Sequence, residues 1–71
     1  MTYEQIVSVL GYANDHDMAV RILTTTEMEV TGIPTSVDTD IAAHEVYLRP
    51  VGEDETEIAL SLGSSRSVEL V

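Results

Sequence analysis

The sequence predicts a mainly β, α+β fold: an N-terminal helix followed by a five-stranded antiparallel, strongly bent barrel. Three observations carry this. Apolar residues recur at helical spacing only near the N-terminus, and from Met18 onward their period is two. The period-two runs are joined by short links, whereas parallel pairing would need long crossovers. The parity of the apolar positions slips by one residue at Gly32, as happens where a bulge or sharp bend curls a small sheet.

The helix is expected over residues 2–11. Thr2 and Gln5 have the types and spacing of a capping box, and Glu4 in the first turn complements the helix dipole. Tyr3, Ile6, Val7 and Leu10 fall on one face, and Gly11 is the expected stop. So short a helix is not stable alone and must dock this stripe on the rest of the chain. Asn14-Asp15-His16-Asp17 reads as a polar loop.

The barrel is expected over 18–71, making residues 1–71 one domain. In the first strand, 18–23, Met18, Val20 and Ile22 face inward and Arg21 outward, and Thr24-Thr25-Thr26 turns the chain. The second strand starts at Glu27 with Met28 and Val30 inward, bends at Gly32, and continues with Ile33 and Val37 inward. Pro34 has no amide to donate and belongs at an edge or beyond the bend. A loop over 38–43 leads to the third strand, 44–49, with Val46 and Leu48 inward. The fourth, 57–62, buries Ile58, Leu60 and Leu62, and the fifth, 66–71, buries Val68 and Leu70.

Composition sets further bounds. A hydrophobic content of 44% supports a real core and argues against disorder. A folded chain of this length has a radius of gyration of about 11 Å, which leaves no deep cleft and favours loops, grooves or a sheet edge as working surfaces. No apolar run approaches the ~20 residues of a membrane helix. The stretch Met1–Gln5 has no basic region of the kind that opens a signal peptide, so a cytoplasmic location is expected. With no cysteine, disulfides, thiolate metal sites and thiol catalysis are excluded. Thirteen acidic residues against three arginines and no lysine give a net charge of −10. Such a chain repels nucleic acid and anionic membranes, and a charged partner would be a protein with a basic surface.

The run Val20–Gly32, through Arg21-Ile22-Leu23-Thr24-Thr25-Thr26-Glu27-Met28-Glu29-Val30-Thr31, resembles the first two strands of the Sm-like family. Val37-Asp38 and Glu45-Val46-Tyr47-Leu48 sit where that family has its loop aspartate and third strand. Ile58-Ala59-Leu60 through Ser67-Val68-Glu69-Leu70 is similar to its last two. The resemblance covers residues 20–70 and implies a small SH3-like barrel. The family's RNA binders carry an asparagine shortly after the loop aspartate, where this chain has Thr39-Asp40-Ile41-Ala42-Ala43. They also carry a basic residue before a glycine late on, where Arg66 precedes Ser67. The pattern is also similar to the bacterial Rho-terminator inhibitor family, acidic and Sm-like. That resemblance implies that an acidic barrel can cover a basic nucleic-acid site on another protein.

Candidate sites follow from residue type and spacing. Asp15-His16-Asp17 contains metal-ligand types, but three consecutive residues do not converge on one ion in an ordinary loop. Asp38, Asp40 and Glu45 depart from a calcium loop, which would need glycine and glutamate where Ala43 and Arg49 stand. No phosphate-binding loop or nucleophile–base arrangement is present, so neither an enzyme nor a cofactor is expected. The densest acidic run, Glu53, Asp54, Glu55 and Glu57, is a candidate partner-binding surface, with Tyr47 and Arg66 as further contacts. The leading expectation is an acidic interaction module that binds a basic protein through acidic loops or an edge strand. The alternative is an Sm-like oligomeric RNA-binding protein with Arg66 and Tyr47 as contacts. Unpaired strand edges leave a homo-oligomer open.

Overall fold

The architecture is that of a computed structural model, which describes residues 1–42, 44–53 and 55–71. In chain order it has helix α1 (Tyr3–Asp15), strands β1 (Val20–Thr24), β2 (Glu29–Asp38), β3 (Glu45–Arg49) and β4 (Ile58–Ser61), a short 3₁₀ turn (Leu62–Ser64) and strand β5 (Ser65–Leu70). The strands form one antiparallel five-stranded sheet in the order β4-β3-β2-β1-β5, so the α+β, mainly β expectation holds. The radius of gyration is 10.8 Å.

The sheet curls but does not close into a barrel: β4 and β5 remain its two edges. The curl comes from β2, which pairs with β1 through Glu29–Gly32 and with β3 through Ile33–Asp38. At this crossover Gly32 lies so close to β3 that an added Cβ would stand 2.9 Å from the Arg49 carbonyl oxygen. On the far side β4 is only four residues long and runs directly into the 3₁₀ turn. Ser61 caps that turn: its Oγ accepts from the Gly63 amide (3.3 Å), and its carbonyl accepts from the Ser64 and Ser65 hydroxyls (3.0 and 3.2 Å).

Ile6, Leu10 and Ala13 of α1 pack on Val20 and Ile22 of β1, Val46 and Leu48 of β3, Leu62 and Val68. The capping box of Thr2 and Gln5 is present. Gly11 does not stop the helix, which runs on to Asp15. The next turn continues the buried stripe with Ala13, and Asn14, with its amide turned to suit its neighbours, donates to the carbonyls of Pro34 (3.0 Å) and Thr35 (3.3 Å) on β2. These tertiary contacts outweigh the ~1 kcal/mol that a helical glycine costs.

Three further expectations are corrected. The parity slip lies between Pro34 and Ser36, with Thr35 as the extra residue, so Gly32 and Pro34 keep the inward parity and Ile33 pairs outward with Arg49. Met28 is exposed because the β1–β2 turn takes Thr25–Met28; the Thr24 hydroxyl holds the Met28 amide at 3.1 Å, and β2 starts only at Glu29. Tyr3 and Leu70 are exposed, Tyr3 because it stacks on His44 instead of entering the core and Leu70 because it stands at the open edge.

Candidate functional site

The alternation of β3 puts Val46 and Leu48 in the core and therefore Glu45, Tyr47 and Arg49 on the outer face. Register adds their neighbours. Asp38 pairs with Glu45, Ser36 and Ala59 flank Tyr47, and Glu57 lies just before β4 beside the bulge at Thr35. The Thr35 hydroxyl donates to Glu57 Oε1 at 2.9 Å and lies 3.3 Å from the Tyr47 carbonyl oxygen, which ties Glu57 to the β2–β3 pair. Small residues, Ser36 and Ala59, flank Tyr47, which is half-buried on this face between acidic groups.

The electrostatics of this face are strongly negative. The Tyr47 hydroxyl is held above the ordinary tyrosine value, chiefly by the neighbouring Glu45 carboxylate and further by Asp38 and Glu57, which oppose a second negative charge. A raised value in the fold means that the folded state keeps its proton longer than the unfolded chain does. The associated stability is thus fully present below the unfolded value of about 10 and declines as pH rises above it. An ultraviolet titration should show a late tyrosine step, above the ordinary tyrosine range. Tyr47→Phe should remove that late step, and added salt should move it to lower pH by screening the carboxylates. A late step that survives Tyr47→Phe would contradict this assignment.

Beside the face, Thr35, Arg49, Glu55, Thr56 and Glu57 line a shallow hollow of about 230 Å³. Glu53 and Glu55 are exposed in the β3–β4 loop, whose turn is held by the Glu53 amide donating to the Pro50 carbonyl (3.1 Å). Asp54, the remaining member of the acidic run, lies outside the described residues. Glu57 and Tyr47 therefore come together and Glu55 borders them, whereas Arg66 stands on β5, with β2 and β1 between its strand and β3. Asp38 and Glu45 belong to the same face, although the sequence pattern starts a loop at Asp38, which instead ends β2. The signal for Glu45 is the period of the strand read over 44–49, which places it two residues from Tyr47 on one side.

The loop that enters β3 is built from its own aspartates. Asp38 Oδ1 accepts from the Asp40 amide and Asp40 Oδ1 from the Ala42 amide, each at 3.0 Å. Two acids are thereby used as turn formers. At the other end of the molecule the Asp15-His16-Asp17 run does not converge. His16 caps the helix by donating from Nδ1 to the Tyr12 carbonyl at 2.8 Å and stacks on the Tyr12 ring. Among the described residues no group of three or more His, Asp or Glu side chains is arranged to hold a metal ion. No helix among them is long and apolar enough to cross a membrane. Comparison with protein-family models, with curated proteins and with solved structures gives no match to this chain.

Proposed function

We propose that this protein is an acidic interaction module that binds a basic protein partner through the face centred on Tyr47. The observation that carries this reading is the half-buried Tyr47 on the outer face of β3, set among Glu45, Asp38 and Glu57 on one sheet surface. An arginine or lysine from a partner can lie over the ring while its N–H groups reach the carboxylates. Such cation–π contacts contribute about 0.5–1 kcal/mol at exposed sites, and charge-assisted hydrogen bonds add to them. The net charge of −10 speeds encounter with a basic surface, and the association rate should fall as salt rises. The Sm-like reading of the fold rests on the sequence resemblance. Its RNA-binding form is disfavoured by that charge, because phosphate contacts need cations.

The reading is tested with an arginine-rich peptide as probe. Glu45→Lys combined with Glu57→Lys should weaken binding at least tenfold, about 1.4 kcal/mol, without unfolding a protein in which both positions lie on the sheet's outer side. Unchanged affinity would refute the proposed face. Retention of oligouridine RNA at moderate salt, with no binding of the peptide, would favour the RNA-binding alternative instead.

A further inference from the structure

The second surface with unmet bonding capacity is the free edge of β5. This strand pairs only with β1 and ends the sheet. The Val71 amide donates to the Ala19 carbonyl at 3.1 Å. In an antiparallel ladder the bonding direction alternates, so Ser67 and Glu69 also face β1, while Val68 and Leu70 point their N–H and C=O groups out of the sheet. The partner of the Val68 amide is the thioether sulfur of Met1, at 3.2 Å. A thioether is a weak acceptor, much poorer than a peptide carbonyl. Met1 thus occupies the place that a neighbouring strand would fill, and does so with a group that a strand could displace.

The edge is only lightly defended, by the exposed charges of Arg66 and Glu69. Lysine is absent from the chain, and its two prolines, Pro34 and Pro50, lie elsewhere; Arg66 at the start of the strand is the one cation on β5. Its two sides differ in chemistry. Towards the helix, Ser8, Val9, Tyr12 and Leu70 line an apolar groove of about 330 Å³. Towards the outer face, Met1, Ser67, Glu29 and Glu69 border a second hollow of about 250 Å³, in which Arg21 is already paired with Glu69 at 2.8 Å.

We propose that the open edge of β5 receives an extended strand from a partner protein, with alternate side chains apolar and basic. Strand addition supplies main-chain hydrogen bonds, and alternation supplies specificity. Side chains on the Leu70 side enter the groove against Val9 and Tyr12; those on the other side meet Glu69 and Glu29. Charge selects the occupant: a second copy of this chain would bring another −10 to the edge, whereas a lysine-bearing strand is attracted to it. This site is separate from the Tyr47 face and does not rest on it.

The probe is a blocked peptide of alternating valine and lysine, added to the intact protein. At saturation the Val68 and Leu70 amides should become at least tenfold more protected from hydrogen exchange, and the Met1 methyl resonance should move. Leu70→Lys, at an exposed position, should weaken the peptide at least tenfold, as should glutamate in place of its lysines. Glu45→Lys with Glu57→Lys should leave protection at β5 in place, so loss of the Tyr47 reading and loss of this one are distinguishable. Unchanged exchange at Val68 and Leu70 under saturating peptide would overturn the proposal. So would light scattering that shows copies of the chain already associated through β5 without peptide.

Discussion

Leu48→Ala is expected to destabilise the fold by about 2–5 kcal/mol, the usual cost of deleting most of a buried leucine side chain. Leu48 is fully buried, paired between Pro34 on β2 and Ile58 on β4, in the hydrophobic core cluster. A domain of this size has a total stability of roughly 4–10 kcal/mol, at about 0.05–0.15 kcal/mol per residue, so the loss is a large share of the whole. Each kcal/mol moves the melting temperature by about 4–8 °C in domains of this size, and thermal denaturation by circular dichroism should register a fall of at least ~8 °C. Leu48→Met conserves volume and should cost less than ~1.5 kcal/mol. Equal melting of Leu48→Ala and wild type would contradict the core assignment.

Gly32→Ala should have the next largest effect, for a different reason. The position needs no unusual backbone angle; it needs the absence of a Cβ. That atom would lie 2.9 Å from the Arg49 carbonyl oxygen, 3.2 Å from its carbon and 3.3 Å from the Leu48 Cβ. Two of these are backbone atoms, so relief requires β2 and β3 to separate at the crossover. Overpacking of this kind costs about 1–3 kcal/mol. The displaced residues adjoin Tyr47, so the variant should also perturb the outer face of β3 while the β1–β5 pair keeps its register. Urea denaturation gives the first quantity, and the amide resonances of Tyr47 and Arg49 the second. A substitution that leaves both unchanged would show that the strands are not in close approach there.

These two positions also show what the sequence makes legible. Leu48 is readable because its strand alternates and its neighbours Tyr47 and Arg49 are amphipathic. Gly32 is readable as a bend because glycine interrupts an otherwise regular strand. What it does there is tertiary: β2 exchanges β1 for β3 as partner, and the extra residue that shifts the register is Thr35. Local pattern gives no means of choosing between glycine and a residue three positions later, since either one produces the same change of parity further on. The helix start is local chemistry, a capping box closed between Thr2 and Gln5, and is therefore visible. Its end depends on Asn14 reaching carbonyls of β2, and no neighbouring residue encodes that.

The candidate site divides in the same way. An acidic surface follows from thirteen acids in a short chain, and the placement of Tyr47 outside follows from the period of β3. The choice of acids around it does not. Glu57 joins through the Thr35 bulge, and Asp38 through the β2–β3 register, both long-range facts. Arg66 and Tyr47 are separated because sheet order interposes two strands, which spacing along the chain does not reveal.

The docking of a basic partner on the Tyr47 face is tested most directly by a heteronuclear NMR titration of the intact protein with an arginine-rich peptide at low salt. The expected result is a saturable shift of the Asp38, Glu45, Tyr47 and Glu57 amides together, reversed by added salt. Shifts spread evenly over the acidic surface, or confined to residues away from β3 and its flanks, would contradict it.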